Sequence, residues 1–257
     1  VETLAANARR RGNLRVLLRQ GVKVMFSGLV QSIATIRFLS ANIVRVTCLP
    51  PNTGVILDDL EIGDSVAVDG TCLTAEKIYA DGFTASVSPE TVDRVTFGKI
   101  NSSPQRLATC VNLETSLRVG SKIGGHFVSG HVDGIGELLT VVRTASSWEL
   151  KFGRSSQWQS AELWEERIGR FLVSKGSIAV NGISLTVADC DRGGTWFTVA
   201  VIPHTYDVTN LSRLPVGGWV NLEADLLAKY AARSLASPAA ANSPPPIDAD
   251  FLSLHGY

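Results

Sequence analysis

From position 25 onward the apolar residues either alternate with polar ones or run in short β-branched stretches. MFSGLVQSIATIRFL and NIVRVTCL are of this kind, and such runs predict β-strands. Asp58-Asp59, Gly63-Asp64, Asp69-Gly70 and Asp81-Gly82 punctuate them, and these residue types favour tight turns. Short strands at regular spacing predict a sandwich or a barrel. Helical spacing breaks in at three places. Ser88 suits a helix cap, with Pro89 at the first helical position and Glu90 at the positive end. Within 155–176, Trp158, Leu163, Trp164, Ile168, Phe171 and Leu172 recur at helix-like intervals. They predict a helix that ends near Gly176, lies outside the barrel and uses its aromatic stripe for packing rather than ligand binding. Over 224–236, Leu226, Leu227, Tyr230, Ala231 and Leu235 share one helical face. That face needs a partner, either the barrels or another subunit.

The pattern then repeats. SVAVDGTCLT at 65–74 matches SIAVNGISLT at 177–186, an offset of 112. FTASVSPETVDRVTF at 83–97 matches FTVAVIPHTYDVTNL at 197–211, an offset of 114. VNLE at 111–114 recurs at 220–223, and SGLVQSI at 27–33 matches SGHVDGI at 129–135. Four blocks in the same order mark a duplicated domain. A period near 100 exceeds a solenoid unit, so each copy should be a self-contained barrel. This divides the chain into an N-terminal extension (1–24), a first barrel (25–126), a second barrel (127–230), and the helix end with a Pro-rich tail (231–257).

Composition narrows the function. Lys plus Arg and Asp plus Glu are 24 each, a balance that argues against electrostatic capture of nucleic acid or an anionic membrane. No apolar run approaches the roughly 20 residues that span a bilayer. Cys48, Cys72, Cys110 and Cys190 form no CxxC pair, which fits reduced thiols in an intracellular protein. The expected location is the cytoplasm. Arg9, Arg10, Arg11, Arg15, Arg19 and Lys23 face a single acid, Glu2. Such a leader has the composition of an organelle transit segment, which would send the protein to a plastid or mitochondrion instead; a leader without a role is the plainer alternative.

The differences between the copies point to chemistry. Ser65 and Thr74 of the first copy match Ser177 and Thr186 of the second, a shared polar frame suited to similar planar ligands. Cys72 faces Ser184, Leu29 faces His131, and Ser116 faces Asp225. The first copy alone keeps a thiol, a potential nucleophile, and the second alone keeps a His–Asp pair, a potential proton relay. His126 and His131 fall in GGHFVSGHVDG, five residues apart with no nearby Cys or carboxylate set. They are therefore not expected to bind metal. GxGxxG and GxxxxGK[ST] are absent.

MFSGLVQ, VDGTCLT, SPET, GGHFVSGHVDG, GSIAVNGISLTV, IPHT and VNLEADLLAKY, in this order between Met25 and Tyr230, together resemble the riboflavin synthase alpha-chain family. The resemblance implies an all-β fold of two tandem six-stranded Greek-key β-barrels with a C-terminal α-helix, assembled as a homotrimer. It implies dismutation of two molecules of 6,7-dimethyl-8-ribityllumazine into riboflavin and 5-amino-6-(D-ribitylamino)uracil, without cofactor or metal. The site would form where the first barrel of one subunit meets the second barrel of its neighbour. Association with lumazine synthase is a further expectation.

Carried over residue by residue, the resemblance places Ser65 and Cys72 in the first-barrel site, and His126, His131 and Asp225 among the reactive groups. Of these, His131 with Asp225 is the expected proton relay. Phe26, Gly28, Leu29, Val30, Thr71, Cys72, Leu73, Thr74, Ser86, Val87, Ser88, Pro89, Glu90 and Thr91 would frame the ring in the first barrel. Gly130, His131, Val132, Lys175, Ser184, Leu185, Thr186, Val201, Ile202, Pro203, His204 and Thr205 would do so in the second. The rival reading is a non-catalytic lumazine- or flavin-binding protein of the same fold. A pure binder has no need of both reactive sets, and this chain keeps both. A flavin-dependent reductase on a similar barrel lacks support, because no nucleotide-binding half follows.

Overall fold

The computed structural model describes residues 24–101 and 109–236; the basic leader and the Pro-rich tail lie outside them. Strands β1 (Ser32–Phe38), β2 (Ile43–Cys48), β3 (Ser65–Val68), β4 (Thr71–Thr74), β5 (Lys77–Tyr79), β6 (Gly82–Ser86) and β7 (Thr109–Thr115) form one antiparallel sheet. Its order is β4-β3-β7-β1-β2-β6-β5. The two edges, β4 and β5, are joined only by Ala75 and Glu76, so they are two halves of one interrupted strand. In the second copy β8 (Gly134–Arg143), β9 (Trp148–Arg154), β10 (Ser177–Val180), β11 (Ile183–Cys190), β12 (Trp196–Val201) and β13 (Trp219–Ala224) close into a barrel, order β10-β11-β12-β9-β8-β13. There β11 runs unbroken, and its register slips between Val187 and Asp189, where the first copy breaks. The fold is therefore two six-strand barrel units, as the alternating pattern and the duplication imply.

Helices are few and short: α1 (Thr53–Leu57), α2 (Pro89–Arg94), α3 (Thr96–Asn101), α4 (Ala161–Arg167), α5 (Pro203–Val208) and α6 (Leu226–Ala236). Ser88 accepts from the Thr91 N–H, capping α2 with Pro89 in its first turn, as its sequence predicts. The helix expected over 155–176 is shorter. Ser160 caps α4, Ile168 leaves helical geometry, and a 3₁₀ turn follows at Gly169–Phe171. Nor does this segment lie outside the barrel. Trp164 and Ile168 are fully buried in the second core, and the Trp164 indole N–H donates to the Gly194 carbonyl at 2.6 Å. The barrel interior has to be filled by side chains, and this indole with its polar edge paired does so. In the first copy α1 supplies Ile56 to its core in the same way.

The repeated tetrapeptide VNLE shows how one strand serves three purposes. Alternate residues of a strand face opposite sides. Val111 and Leu113 enter the first core, Val220 and Leu222 the second. Asn112 and Asn221 point the other way, into a buried polar seam between the barrels. The Asn112 amide donates to the Asn181 carbonyl at 3.0 Å, and Asn221 donates to the Asp69 carbonyl at 2.9 Å. The seam centres on the β3–β4 and β10–β11 turns, where Asp69-Gly70 and Asn181-Gly182 all have positive φ. Asp-Gly and Asn-Gly suit this two-residue turn. The turns touch back to back, since a Cβ on Gly70 would lie 2.8 Å from the Gly182 nitrogen. The remaining residues of the motif, Glu114 and Glu223, reach the candidate site.

Candidate functional site

Each barrel opens with a Ser-Gly loop that a glutamate of its own last strand holds in place. Glu114 accepts from the Ser27 N–H (2.7 Å), the Ser27 hydroxyl (2.7 Å) and the Gly28 N–H (2.9 Å). Glu223 accepts from the Ser129 N–H (2.6 Å) and hydroxyl (2.8 Å), the Gly130 N–H (3.0 Å) and the His131 N–H (3.1 Å). Burial pushes both carboxyl groups up from the usual range, and the converging loop donors pull them back. Neither glutamate is among the site residues that the sequence predicts. Their signal in the sequence is a charged residue kept in both copies of an otherwise core-forming strand.

The two loops cross. Phe26 and Val128 pair as an antiparallel bridge. The Ser184 N–H of the second barrel donates to the Gly28 carbonyl, and the Cys72 N–H of the first donates to the Gly130 carbonyl, each at 2.8 Å. Gly28 has φ +74° and Gly130 φ +81°, and a Cβ on either would lie 2.6 Å from the Cβ of Ser184 or Cys72 respectively. Only glycine combines that φ with that approach. Val132 is buried in the core of the first barrel, and Val30 packs on the core of the second. The sequence grouped Gly28–Val30 with Thr71–Leu73, and Gly130–Val132 with Ser184–Thr186. The backbone contacts instead join each loop to the opposite barrel, because the opening strands exchange partners at the Phe26–Val128 bridge.

This crossing gathers a cluster around His126. Its Nδ1 lies 2.7 Å from the Ser184 hydroxyl, and its N–H donates to the Ser27 carbonyl at 3.2 Å. Burial lowers the imidazole pKa below its usual 6.5, with the Asp225 charge partly opposing. Among the described residues Nε2 is buried without a hydrogen-bond partner. Asp225 itself accepts from the Leu227 N–H at 2.9 Å and so caps α6. The expected relay joins Asp225 to His131; the charge of Asp225 also reaches His126. The His131 imidazole is exposed, with Nδ1 3.1 Å from the Ser129 hydroxyl. The two histidines thus have separate partners, and no group of three or more potential metal ligands occurs among the described residues.

Cys72 is a half-buried free thiol. Burial raises its pKa, the Ser65 hydroxyl lowers it and the Glu223 charge raises it further, so the thiol and not the thiolate is present at neutral pH. Ser65 is buried on β3, in register with Thr74. Of the other predicted framing residues, Phe26, Thr71, Leu73, Val87, Leu185 and Val201 are buried and act as support. Thr74, Ser86, Ser88, Pro89, Glu90, Thr186, Ile202, Pro203 and His204 are exposed, while Thr91 and Thr205 are half-buried. Lys175 is exposed with φ +68°, in the turn before β10.

A cavity of about 930 Å³ opens beside the first loop, lined by Leu29, Val30, Gln31, Ser65, Glu114, Ser116, Arg118 and Lys122 among others. It shares Leu29, Val30 and Ser65 with the predicted first-barrel frame, but Cys72, Thr74 and 86–91 lie outside its lining. Its volume is in the range that takes a drug-sized heterocycle.

Comparison with known proteins agrees with this architecture. The lumazine binding domain family model matches twice, at residues 27–116 and 129–225. The riboflavin synthase of Actinobacillus pleuropneumoniae is 34% identical over 233 residues, covering 91% of this chain and 100% of that protein. That of Mycobacterium tuberculosis (strain ATCC 25618 / H37Rv) is 38% identical over 218 residues, covering 83% and 99%. That of Bacillus subtilis (strain 168) is 32% identical over 235 residues, covering 91% and 100%. Among solved structures, LumP complexed with 6,7-dimethyl-8-(1'-D-ribityl) lumazine superposes with a TM-score of 0.60 at 22% identity, covering 77% of this chain and 98% of that one. LumP complexed with riboflavin gives 0.61 at the same identity and coverage.

Proposed function

The chain belongs to the riboflavin synthase family, and from that membership we propose that it converts two molecules of 6,7-dimethyl-8-ribityllumazine into riboflavin and 5-amino-6-(D-ribitylamino)uracil. The observation that carries the reading is the relation to riboflavin synthases over their whole length, at 31–38% identity. The reaction moves a four-carbon unit from one lumazine to the other, making the protein a transferase. Two identical substrates hold all the atoms of the two products, so the exchange consumes no external oxidant.

The side chains at the crossing suit this chemistry. One lumazine must lose a proton from its C7 methyl group, and the carbanion delocalises into the electron-poor ring. His126 is half-buried, neutral at pH 7 and fixed by Ser184. In the tautomer that donates Nδ1–H to Ser184, Nε2 carries a free lone pair and serves as the base. Asp225 then stabilises the imidazolium as it forms. His131 is the second proton-carrying group. Cys72, held as a thiol, positions the ring edge together with Ser65 rather than attacking it. Bringing the two rings face to face supplies much of the rate through proximity.

The exposed face of α6 supports the assembly the family resemblance implies. Leu227, Tyr230 and Leu235 are 66%, 58% and 87% exposed along one face, an apolar stripe of the kind that packs against another helix. Packing three copies around α6 would make the protein a homotrimer and bring the first barrel of one subunit against the second of its neighbour.

The test is direct. Pure protein is incubated with the lumazine and no cofactor, riboflavin is followed by its absorbance, and the mass is measured by sedimentation. Riboflavin at half the lumazine consumed, from a trimer, supports the proposal. Stoichiometric lumazine binding without riboflavin would overturn it.

A further inference from the structure

Among the described residues, one ionic contact of the second copy has no counterpart at the matched positions of the first. Asp133 follows His131 by two residues. Its Oδ2 accepts from the Ala224 N–H at 2.8 Å and pairs with Lys229 Nζ of α6 at 2.5 Å. The pair is half-buried, with the side chains 25% and 21% exposed for Lys229 and Asp133. Lys229 also favours the ionised form of Glu223, the carboxylate that holds the Ser129, Gly130 and His131 N–H groups. Arg167 is a further cation whose charge reaches Asp133.

In the first copy Gln31 stands where Asp133 does and Gly120 where Lys229 does, by the offsets of 102 and 109. Gln31 accepts from the Thr115 N–H (2.9 Å) and hydroxyl (3.0 Å). The strand-to-loop hydrogen bond is therefore kept in both copies. The tie to a following helix is not. It is found only in the copy whose loop carries an imidazole, where the other copy has Leu29.

We propose that Lys229 and Asp133 are positioning residues, whose ion pair fastens α6 to the 129–133 loop and thereby aims His131 at the lumazine. This rests on the reading of the chain as a lumazine dismutase. A plain helix-docking contact would affect stability alone. A positioning role appears in kcat, acts through His131, and depends on the cation rather than on lysine itself.

The experiment is a double-mutant cycle in the full chain: Lys229→Met, His131→Ala, and both together, with Lys229→Arg and Asp133→Asn alongside. Riboflavin formation gives kcat and KM, lumazine fluorescence titration gives binding, and thermal melts report folding. Lys229→Met is expected to lower kcat on the order of 10- to 100-fold, with KM and lumazine affinity nearly unchanged. Lys229→Arg should recover most of the rate, and Lys229→Met should add nothing once His131 is alanine. A full kcat in folded Lys229→Met, or losses that multiply in the double variant, would overturn the proposal. If Lys229→Met does not fold, Asp133→Asn replaces it in the cycle, because the amide can still accept from Ala224. Wild-type protein that binds lumazine and makes no riboflavin sinks the dismutase reading by itself, so the two failures are told apart.

Discussion

Replacing Asp69 by Asn should stabilise the protein at neutral pH and flatten the dependence of its stability on pH. Asp69 lies in the seam between the barrels, 2% exposed. Its Oδ1 accepts from the Asn112 N–H at 2.7 Å and from the Asn210 amide at 3.0 Å. Both donors are neutral, and burial outweighs them, raising the pKa from 3.8 to about 8. The sign follows from proton binding. Below pH 4 the folded and unfolded chains both hold this proton, and Asp69 contributes nothing. Between pH 4 and 8 the unfolded chain releases it while the folded chain keeps it, so stability falls by about 1.4 kcal/mol per pH unit. Above pH 8 both are ionised and the penalty is constant. At pH 7 roughly 3 units have accumulated, an upper figure of about 4 kcal/mol. The second copy already carries the substitution: Asn181 has φ +46° against +47° for Asp69, and accepts from the Asn221 N–H at 2.7 Å in the same way. Urea denaturation of both proteins at pH 5, 6, 7 and 8 measures the effect. The stability gained by Asp69→Asn should widen with each step. A gap that stays constant or narrows would refute the argument that burial holds Asp69 protonated.

Three further outcomes follow from the same geometry. Trp164→Ala removes the plug of the second barrel and leaves the Gly194 carbonyl without its indole donor; a loss of about 3–5 kcal/mol in denaturant-monitored stability is expected, and a loss below 1 kcal/mol would show that the helix is dispensable. Burial lowers the His126 pKa below 6.5, so a rate limited by its base form stays flat down to that pH and falls only below it. An acid limb centred above 6.5 would assign the base to another group, and His126→Gln should remove the limb along with most of the turnover. Cys72→Ser keeps a small hydrogen-bonding group beside Ser65 and Gly130; riboflavin formation should stay within about tenfold of wild type because the buried thiol is not ionised, whereas near-complete loss would mark sulfur itself as the reacting atom.

The barrels were legible because they rest on local rules applied twice. Period-two patterning marks the strands, Asp69-Gly70 a turn, and four matched blocks, VNLE among them, the repeat. The apolar face of α6 could be read from Leu227, Tyr230 and Leu235 for the same reason. What escaped depends on contacts between residues far apart in the chain. Nothing in the spacing of GGHFVSGHVDG says that Gly130 will lie on Cys72 while Gly28 lies on Ser184. That exchange brings His126 to the Ser184 hydroxyl, where the charge of Asp225 reaches its imidazole. Trp164 was misplaced because amphipathic spacing identifies a buried face without identifying what it is buried against. Glu114 and Glu223 could have been found, since a carboxylate alternating with core residues in both copies has to meet donors inside the fold.

A duplicated protein that acts on two copies of one substrate has to treat them differently while binding them alike. The common part here is the scaffold: a glutamate holding each Ser-Gly loop, a glycine at each crossing, an asparagine in each half of the seam. The differences fall on a short set of matched positions, with Cys72 against Ser184, Leu29 against His131, Ser116 against Asp225 and Gln31 against Asp133. Because the loops cross, these positions are not segregated by barrel. Cys72 of the first copy rests on the residue next to His131, and Ser184 of the second rests on the residue next to Leu29 while holding His126. A shift at either crossing therefore moves groups belonging to both halves. Two independent barrels joined by a linker would lack this property.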